Sequence, residues 1–422
     1  MVHNQKNVGA FSMFFATYAD SRGNAYVDEE HLAVGRVGDL LIELLPEQML
    51  PLPDGSSLLL VPERGAVGLT PAGAFAPLGP GRYALAALLP QGYTRVALPA
   101  YHGKGAPLPL FGYTAVAWHD GQFYVAAKIE DEDLYKWDPA HFNTPDLPEL
   151  LEQRQQEMPG NRIIAQLAHC ASEYGCFTAQ NIFYRRWEGG IPVSNSCNAA
   201  CIGCISEQES ECCPSPQSRI SYQPTVDEIV QVALPHIQQA EDTIVSFGQG
   251  CEGEPLLRAD LIAAAIGQLR QQTERGTINA NTNAGFTAGV RQVVDAGIDS
   301  LRVSLNSCIP ANYQAYYRSS SYTLSDVRQS IKLAKAAGVF VALNLLAFPG
   351  VTDREEELLA LIELIQDTGV DMVQVRNLNI DPDQYMALMQ HSSGELYGME
   401  QLADILRSEV PGLIVGSFSR GV

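Results

Sequence analysis

From residue 191 onward, the sequence alternates between short apolar runs and longer segments with helical periodicity, and this alternation limits the possible folds most strongly. The apolar runs predict six strands, at residues 191–194, 243–247, 277–281, 301–305, 339–346 and 372–375. The segments between them predict helices at residues 225–241, 257–274, 287–296, 324–337 and 354–367. Parallel strands need a crossover connection, which is usually a helix. The alternation therefore predicts an α/β fold in which a parallel sheet curls into a partial (β/α)6, TIM-like barrel.

Two of the predicted helices begin with a capping signal. The patterns Thr225-x-x-Glu228 and Thr352-x-x-Glu355 each place a hydroxyl residue three positions before a glutamate. In a capping box, such a pair satisfies two backbone N–H groups that have no partner within the helix. Both patterns therefore predict helix starts.

Residues 1–145 differ in composition from the rest of the chain. They contain no cysteine, about half of the 25 prolines, and short apolar runs separated by turn signals. The segment His119-Asp-Gly121 lies between two such runs, and an Asp-Gly pair there is typical of a hairpin. We predict a mostly-β accessory and substrate-recognition domain at residues 1–145, a helical linker at 146–186, and the barrel at 187–422, ending in a helix and a strand.

Composition and charge disfavour several classes of protein. The chain has 422 residues and a formal net charge of −21, which would repel a nucleic acid. No apolar run approaches the roughly 20 residues of a membrane span, and the apolar stretch 10–16 predicts a strand rather than a signal peptide. Nine cysteines, with none before Cys170, are untypical of a secreted disulfide framework. We therefore predict a cytoplasmic protein in a reducing compartment.

Three cysteines lie close together in the loop Cys197-Asn-Ala-Ala-Cys201-Ile-Gly-Cys204, which follows the first predicted strand. A structural zinc site takes four protein ligands, and a bacterial ferredoxin run has the form C-x2-C-x2-C-x3-C-P. The loop has neither pattern. Three thiolates can bind three irons of a [4Fe–4S] cluster and leave the fourth iron open to an exogenous ligand. Loops at the C-terminal ends of barrel strands carry the chemistry of such folds, which favours a catalytic site here.

With Ile202 at the apolar position, the loop resembles the C-x3-C-φ-x-C motif of the radical S-adenosylmethionine (radical SAM) superfamily. The resemblance implies an enzyme in which SAM chelates the open iron and is cleaved reductively to a 5′-deoxyadenosyl radical. This radical then abstracts hydrogen from the substrate, a chemistry that belongs to the cofactor. The resemblance also implies a one-electron donor such as flavodoxin or ferredoxin, and anaerobic chemistry.

The resemblance extends to the loop after the second predicted strand. Gly253-Glu254-Pro255 is similar to the G-G-E motif of the family, with Glu252 in the place of the first glycine. A glycine lets backbone carbonyls approach the ammonium group of SAM, and the Glu254 carboxylate can add a charge-assisted bond or orient the loop. The alternative interpretation is a glycine-rich turn that leads into a helix.

Polar residues on later strands are further candidates for SAM contact. Arg302, Ser304 and Asn306 alternate along one strand and therefore share one face. The resemblance makes the following residues candidates for cofactor binding: Ser304, Asn306, Asn344 and Arg376, with Ile202 and the loop Phe348-Pro-Gly350 beside adenine. For Ser304 and Asn306, the alternative interpretation is the end of a strand that is exposed to water.

The remaining cysteines near the predicted barrel mouth have two interpretations. Cys251 and Cys308 could donate hydrogen to a substrate radical, or they could be inert small apolar residues. Together with the adjacent pair Cys212 and Cys213, they could also ligate a second iron–sulfur cluster. The sequence does not decide between these roles.

The substrate is not encoded in any motif. A separate β-rich domain suits recognition of an extended chain by strand addition, so a peptide or protein is our first prediction. A small metabolite is the alternative substrate. A rival of another class is a non-catalytic iron–sulfur protein for electron transfer or redox sensing, in which a fourth cysteine closes the cluster.

Overall fold

The computed structural model describes residues 13–131, 134–208, 213–390 and 394–422. Its contacts divide the chain into two compact units. The first unit holds the described residues up to Pro90, together with Arg95–Leu108 and Gly112–Lys128. The second unit holds Gln91–Thr94, Pro109–Phe111 and Ile129–Val422, so residues 129–145, which the sequence pattern placed in the first domain, group with the second unit.

Short strands make up the N-terminal part of the chain. They are β1 (Phe15–Ala19), β2 (Ala25–Val37), β3 (Leu40–Glu43), β4 (Met49–Pro51), β5 (Ser57–Leu69), β6 (Phe75–Pro77), β7 (Tyr83–Leu88), β8 (Tyr93–Arg95), β9 (Leu98–Pro99), β10 (Tyr101–His102), β11 (Thr114–His119) and β12 (Gln122–Ile129). The central strands β5, β2, β1, β7 and β11 are neighbours in one sheet with antiparallel pairing. Ala19, Leu85, Val116 and Val125 belong to one apolar cluster of this unit.

The predicted hairpin is confirmed. His119 pairs with Gln122, and the two residues between them, Asp120 and Gly121, both have positive φ. This conformation is the one that a two-residue type I′ turn requires, because its twist matches that of the flanking strands.

Helices and strands alternate in the second unit. Three helices come first: α1 (Leu147–Glu157), α2 (Arg162–Glu173) and α3 (Phe177–Tyr184). The alternating part consists of β13 (Glu188–Gly190), α4 (Val226–Gln239), β14 (Ile244–Phe247), α5 (Ala259–Arg270), β15 (Thr277–Thr282), α6 (Thr287–Asp295), β16 (Ser300–Leu305), α7 (Pro310–Tyr317), α8 (Leu324–Ala336), β17 (Phe340–Ala347), α9 (Glu355–Thr368), β18 (Met372–Asn377), α10 (Pro382–Met386), α11 (Leu402–Glu409) and β19 (Ile414–Gly416).

The strands β13 to β19 form a parallel sheet in which each strand neighbours the next one along the chain. The fold prediction is therefore confirmed: the protein has a curled parallel half-barrel and a separate antiparallel sheet domain. All C-terminal strand ends meet at one rim, because the strands run in the same direction. The loop with three cysteines leaves β13 at this rim.

The first strand of the sheet lies earlier than residues 191–194, where the sequence placed it. β13 covers Glu188–Gly190, and the N–H groups of Val193 and Ser194 donate to the Glu252 carboxylate instead of a strand neighbour. Residues 191–194 are buried because they lie at the rim of the sheet, after β13 has ended. Their apolar character alone therefore predicted the strand at the wrong residues.

One capping prediction is confirmed and the other is wrong. Thr225 and Glu228 form the reciprocal capping box of α4. Helix α9 begins only at Glu355, with Arg354 as N-cap, because the Thr352 hydroxyl accepts the N–H of Phe348 and so is used for the preceding turn.

Among the described residues, no helix is long and apolar enough to cross a bilayer.

The stability of the half-barrel depends on pH through His236 in α4. The side chain is buried, and its Nε2 lies 2.8 Å from the carbonyl oxygen of Trp187. Burial lowers the pKa of His236 from 6.5 to about 4. The unfolded chain then binds more protons than the folded chain between these values, so stability falls as the pH falls through this window.

We expect His236 to account for about 3 kcal/mol of the stability lost between pH 6.5 and pH 4. The His236→Gln variant keeps a donor for the Trp187 carbonyl but does not titrate. Urea unfolding at a series of pH values measures the difference between the two proteins. A difference that stays constant across this range would show that His236 is not neutral in the folded state.

Candidate active site

The loop with three cysteines is fastened to the end of helix α7. The N–H groups of Ala200 and Ile202 donate to the carbonyl oxygens of Tyr317 and Tyr316, at 2.9 and 3.1 Å. The last carbonyls of a helix have no partner within it, so the loop satisfies two of them. Ile202 is buried there, which agrees with the apolar position of the motif.

The three thiols of Cys197, Cys201 and Cys204 stay the predicted ligands of an iron–sulfur cluster. Burial raises the pKa of Cys201 well above its ordinary value, and the nearby Cys197 and Cys204 act in the same direction. Within the described ranges, no three His, Cys, Asp or Glu side chains are grouped so that they could hold a metal ion. A cubane binds each thiolate to a different iron, so its ligands need not converge as those of a zinc ion do. The donor set therefore fits a [4Fe–4S] cluster.

Glu252, at the position of the first glycine in the family motif, joins the cysteine loop to the loop after β14. Its Oε2 accepts the N–H groups of Val193 and Ser194 at 2.8 and 2.9 Å. Its Oε1 accepts those of Gly248 and Gln249 at 2.5 and 3.3 Å. Burial raises the pKa of Glu252 to about 8, and the four backbone donors act against this rise. The carboxylate therefore fixes the rim where the cysteine loop begins.

Gly253 lies against the backbone of the cysteine loop. Its N–H donates to the carbonyl oxygen of Ser194, and the N–H of Glu254 donates to that of Ser196. A Cβ on Gly253 would lie 2.0 Å from the Ser196 oxygen, so no other residue fits without a shift of the backbone. The need for glycine is thus explained by loop packing, and contact with SAM stays a prediction.

Glu254 is bound to the protein through both carboxylate oxygens. Oε1 accepts from the Thr282 hydroxyl at 2.5 Å and from the N–H of Leu256 at 3.1 Å, and Oε2 accepts from the N–H of Asn283 at 2.8 Å. Burial raises the pKa of Glu254 to about 7, against the effect of these hydrogen bonds. The side chain orients its loop against the end of β15, which is one of the two roles that the sequence left open.

Farther from the rim, the interior of the half-barrel holds polar side chains that form ion pairs and hydrogen bonds with one another. Glu188 and Arg302 form a buried ion pair at 3.0 Å. The Glu188 carboxylate also accepts from the hydroxyls of Ser246 and Ser419, at 2.6 and 2.5 Å. Burial acts to raise the pKa of Glu188, but Arg302 and the two serines outweigh it and hold that pKa below its ordinary value.

A second polar band lies nearer the rim. Ser304 of β16 is in register with Asn344 of β17, which is in register with Gln374 of β18, so the three side chains share one face. This is also the face of Arg302, two residues before Ser304. The Gln374 Oε1 atom is buried and has no hydrogen-bond partner within the described part of the chain. An unpaired buried acceptor of this kind is rare in folded proteins and indicates a missing donor.

Asn306 and Arg376 lie at the rim end of the same strands. The Asn306 Nδ2 donates to the Tyr385 hydroxyl at 3.2 Å, whereas its Oδ1 is buried without a partner among the described residues. Arg376 donates to Gln91 Oε1 at 3.2 Å. Burial lowers the pKa of Arg376 to about 10, and the charge of Arg302 acts in the same direction. No ion pair involves Arg376 in the residues that the structure covers.

The structure gives the other cysteines different surroundings. Cys251 is buried, and contact with the Cys170 thiol, followed by burial, raises its pKa. Burial also raises the pKa of Cys308, whose N–H donates to Glu357 at 3.3 Å. The Cys213 thiol lies 3.8 Å from Gln208 Oε1, and Cys212 lies outside the described residues. A catalytic role for Cys251 and Cys308, and a second cluster on these thiols, stay predictions.

Two parts of the site have no counterpart in the sequence predictions. Helix α7, which binds the cysteine loop, was missed, although Pro310 at its first position is a usual signal for a helix start. Arg219, whose Nη2 lies 3.7 Å from Cys204 Sγ, was also missed. It is distant from the cysteine motif in sequence, so no spacing rule indicates it.

Comparisons with known proteins agree with this geometry. Residues 191–362 match the family model described as "Radical SAM superfamily". Molybdenum cofactor biosynthesis protein 1 of Bos taurus is 24% identical over 226 residues, which are 53% of this chain and 32% of that protein. GTP 3′,8-cyclase of Erythrobacter litoralis is 28% identical over 192 residues, which are 44% of this chain and 53% of that protein. The chain thus spans about a third to a half of the length of these relatives.

A solved structure is also similar in part. The crystal structure of HydG, a maturase of the [FeFe]-hydrogenase, aligns with a TM-score of 0.40 and 14% sequence identity. The alignment covers 65% of this chain and 66% of that chain.

Proposed function

Since residues 191–362 form a radical SAM domain, we propose that this radical SAM enzyme acts on a small polar metabolite bound inside the half-barrel. The observation that supports this substrate class most directly is the polar band of Ser304, Asn344 and Gln374. Its buried Gln374 oxygen needs a donor that the described residues do not supply. A small ligand with N–H or O–H groups would supply it.

The charged side chains inside the half-barrel restrict the class of substrate further. Glu188 neutralises Arg302, whereas Arg376 has no ion pair within the described residues. A partly buried guanidinium prefers a carboxylate or phosphate as its partner, because a charge-assisted hydrogen bond is about twice as strong as a neutral one. We therefore propose that the metabolite carries an anionic group.

In this proposal, Cys197, Cys201 and Cys204 hold the cluster, Ser304, Asn306 and Asn344 stay candidates for SAM or substrate contact, and Arg376 binds the anionic group of the substrate. When bound, the cluster and SAM supply a 5′-deoxyadenosyl radical that abstracts hydrogen from the substrate. The residues of the chain contribute position. Glu252 and the carbonyls at the end of α7 hold the cysteine loop, and the polar band orients the ligand.

The relatives support a metabolite more than a peptide. One of them is named "GTP 3′,8-cyclase", from Erythrobacter litoralis, and another "Probable GTP 3′,8-cyclase", from Methanosarcina acetivorans, and GTP is a small anionic molecule. GTP is therefore the first compound to test. Our first prediction, a peptide or protein substrate, gains no support from these observations.

The experiment uses deuterium to identify the source of the abstracted hydrogen. Anaerobically reconstituted protein is reduced with dithionite and incubated with SAM and an extract of cells grown in heavy water. The extract is divided beforehand by a membrane that retains proteins and peptides. We expect 5′-deoxyadenosine that carries deuterium only with the low-molecular-weight fraction. Label that appears only with the retained fraction would overturn the proposal.

A variant of Arg376 and a variant of the polar band give a second test. We expect Arg376→Gln to reduce deuterium transfer at low substrate concentration by roughly tenfold or more, the effect of losing about 1.5–3 kcal/mol in a hydrogen bond to a charged group. Gln374→Leu should reduce transfer while leaving urea stability nearly unchanged, since it removes an unpaired acceptor. The control is SAM cleavage without substrate, which should stay at the level of the wild type in both variants. Unchanged deuterium transfer in both variants would contradict the assignment of Arg376 and Gln374 to substrate binding.

A further inference from the structure

Arg219 lies beside the cysteine loop and contacts one of its sulfurs. Its Nη2 lies 3.7 Å from Cys204 Sγ, and its Nε donates to the Ser206 hydroxyl at 3.3 Å. The guanidinium also forms an ion pair with the exposed Glu207. The Arg219 side chain is only 14% exposed, so solvent screens its charge weakly.

The hydrogen bonds of the neighbouring serine leave Arg219 as the donor to this sulfur. The Ser206 oxygen lies 3.6 Å from Cys204 Sγ, but its proton is directed to the carbonyl oxygen of Glu252 at 3.2 Å. Ser206 therefore accepts from Arg219 and positions the guanidinium. The guanidinium of Arg219 therefore lies against the Cys204 sulfur.

We infer that Arg219 is a positioning residue that raises the reduction potential of the cluster bound by the three cysteines. The inference rests on the cluster of the proposed function. One-electron reduction adds a negative charge to the cluster, and a guanidinium hydrogen-bonded to a ligand sulfur stabilises the reduced state more than the oxidised state. Hydrogen bonds to the sulfurs and residues outside the ligand set are known determinants of cluster potential.

Four proteins test the inference: wild type, Arg219→Gln, Arg219→Lys and the control Arg291→Gln. Arg291 lies on the exposed face of α6, so its replacement removes the same charge from the same unit. Each protein is reconstituted anaerobically with iron and sulfide and assayed for bound iron. The reduced cluster is then followed by electron paramagnetic resonance during a dithionite titration without SAM or substrate.

We expect equal iron contents and a lower midpoint potential in Arg219→Gln. At the potential where half of the wild-type clusters are reduced, the ratio of reduced to oxidised cluster should fall by about tenfold, which equals 59 mV for one electron. Arg219→Lys keeps the charge but loses the planar fork, so its potential should lie between the two. Arg291→Gln should match the wild type.

Two outcomes would overturn the inference. The first is a single midpoint potential for all proteins that carry a full cluster. If Arg219→Gln fails to take up iron, the single variants Arg219→Lys and Ser206→Ala are compared instead, because Ser206→Ala removes the acceptor that positions the guanidinium. In that case, the second outcome is a wild-type midpoint potential in both of these variants. Because the titration needs neither SAM nor substrate, a cluster that is tuned by Arg219 but does not cleave SAM would refute the proposed function alone.

Discussion

Replacement of Cys201 by alanine is expected to abolish formation of 5′-deoxyadenosine and to leave the protein with little bound iron. Cys201 is the middle cysteine of the loop, and burial raises its pKa well above the ordinary value. Residues outside the ligand set already change metal affinity or activity by 10–100-fold, so loss of a ligand should exceed about 100-fold. The measurements are iron content and chromatographic detection of 5′-deoxyadenosine after reduction with dithionite.

The matched control is Cys176→Ala, which removes a thiol between α2 and α3, outside the cysteine loop. It should retain the iron and the activity of the wild type. A Cys201→Ala variant with the yield of the wild type would refute the ligand assignment. Electron paramagnetic resonance of the reduced wild type with and without SAM tests the rival interpretation, because a cluster closed by a fourth cysteine would not change its signal when SAM is added.

Replacement of Glu252 by alanine is expected to destabilise the half-barrel by about 3–5 kcal/mol, because a buried N–H group left without an acceptor costs about 1–3 kcal/mol. Four backbone N–H groups, from Val193, Ser194, Gly248 and Gln249, would lose their acceptor. The cysteine loop would also lose its attachment to the loop after β14, so iron uptake should fall. Urea unfolding and iron content measure the two effects.

Two variants make this result specific. Glu252→Gln keeps the size of the side chain but presents an NH2 group to one pair of N–H donors, so it should lose about half of the stabilisation or more. Glu274→Ala removes an exposed carboxylate after α5 and should remain within about 0.5 kcal/mol of the wild type. A Glu252→Ala protein with the stability of the wild type would show that water replaces the carboxylate at no cost.

Much of the fold and the metal ligands could be predicted from local patterns. The alternation of β14, β15, β16, β17 and β18 with helices is visible because buried parallel strands are apolar runs. The cysteine spacing predicts the cluster ligands because close spacing in the chain is itself a local pattern, and this assignment stays a prediction. The short strand β13 was placed three residues late, because its Glu-Gly-Gly sequence has no strand signal.

The long-range contacts of the site could not be predicted in this way. Glu252 occupies a position where the motif has glycine, and only the fold brings its carboxylate to Val193 and Ser194, more than fifty residues earlier. Arg219 and Gln374 have ordinary sequence surroundings. Arg219 lies beside the Cys204 thiol, and the Gln374 oxygen has no hydrogen-bond partner within the described part of the chain.

The sequence by itself determined the parallel half-barrel, the hairpin at Asp120 and the three cysteines, because periodicity, turn chemistry and close spacing are local properties of a chain. Only the tertiary structure decided which polar groups are satisfied and which are left for a ligand. Glu188 and Arg302 pair with each other, whereas the Gln374 oxygen in the same interior has no hydrogen-bond partner among the residues that the structure describes. Hydrogen bonding of a buried group depends on atoms from other strands, and a linear pattern carries no record of their distances.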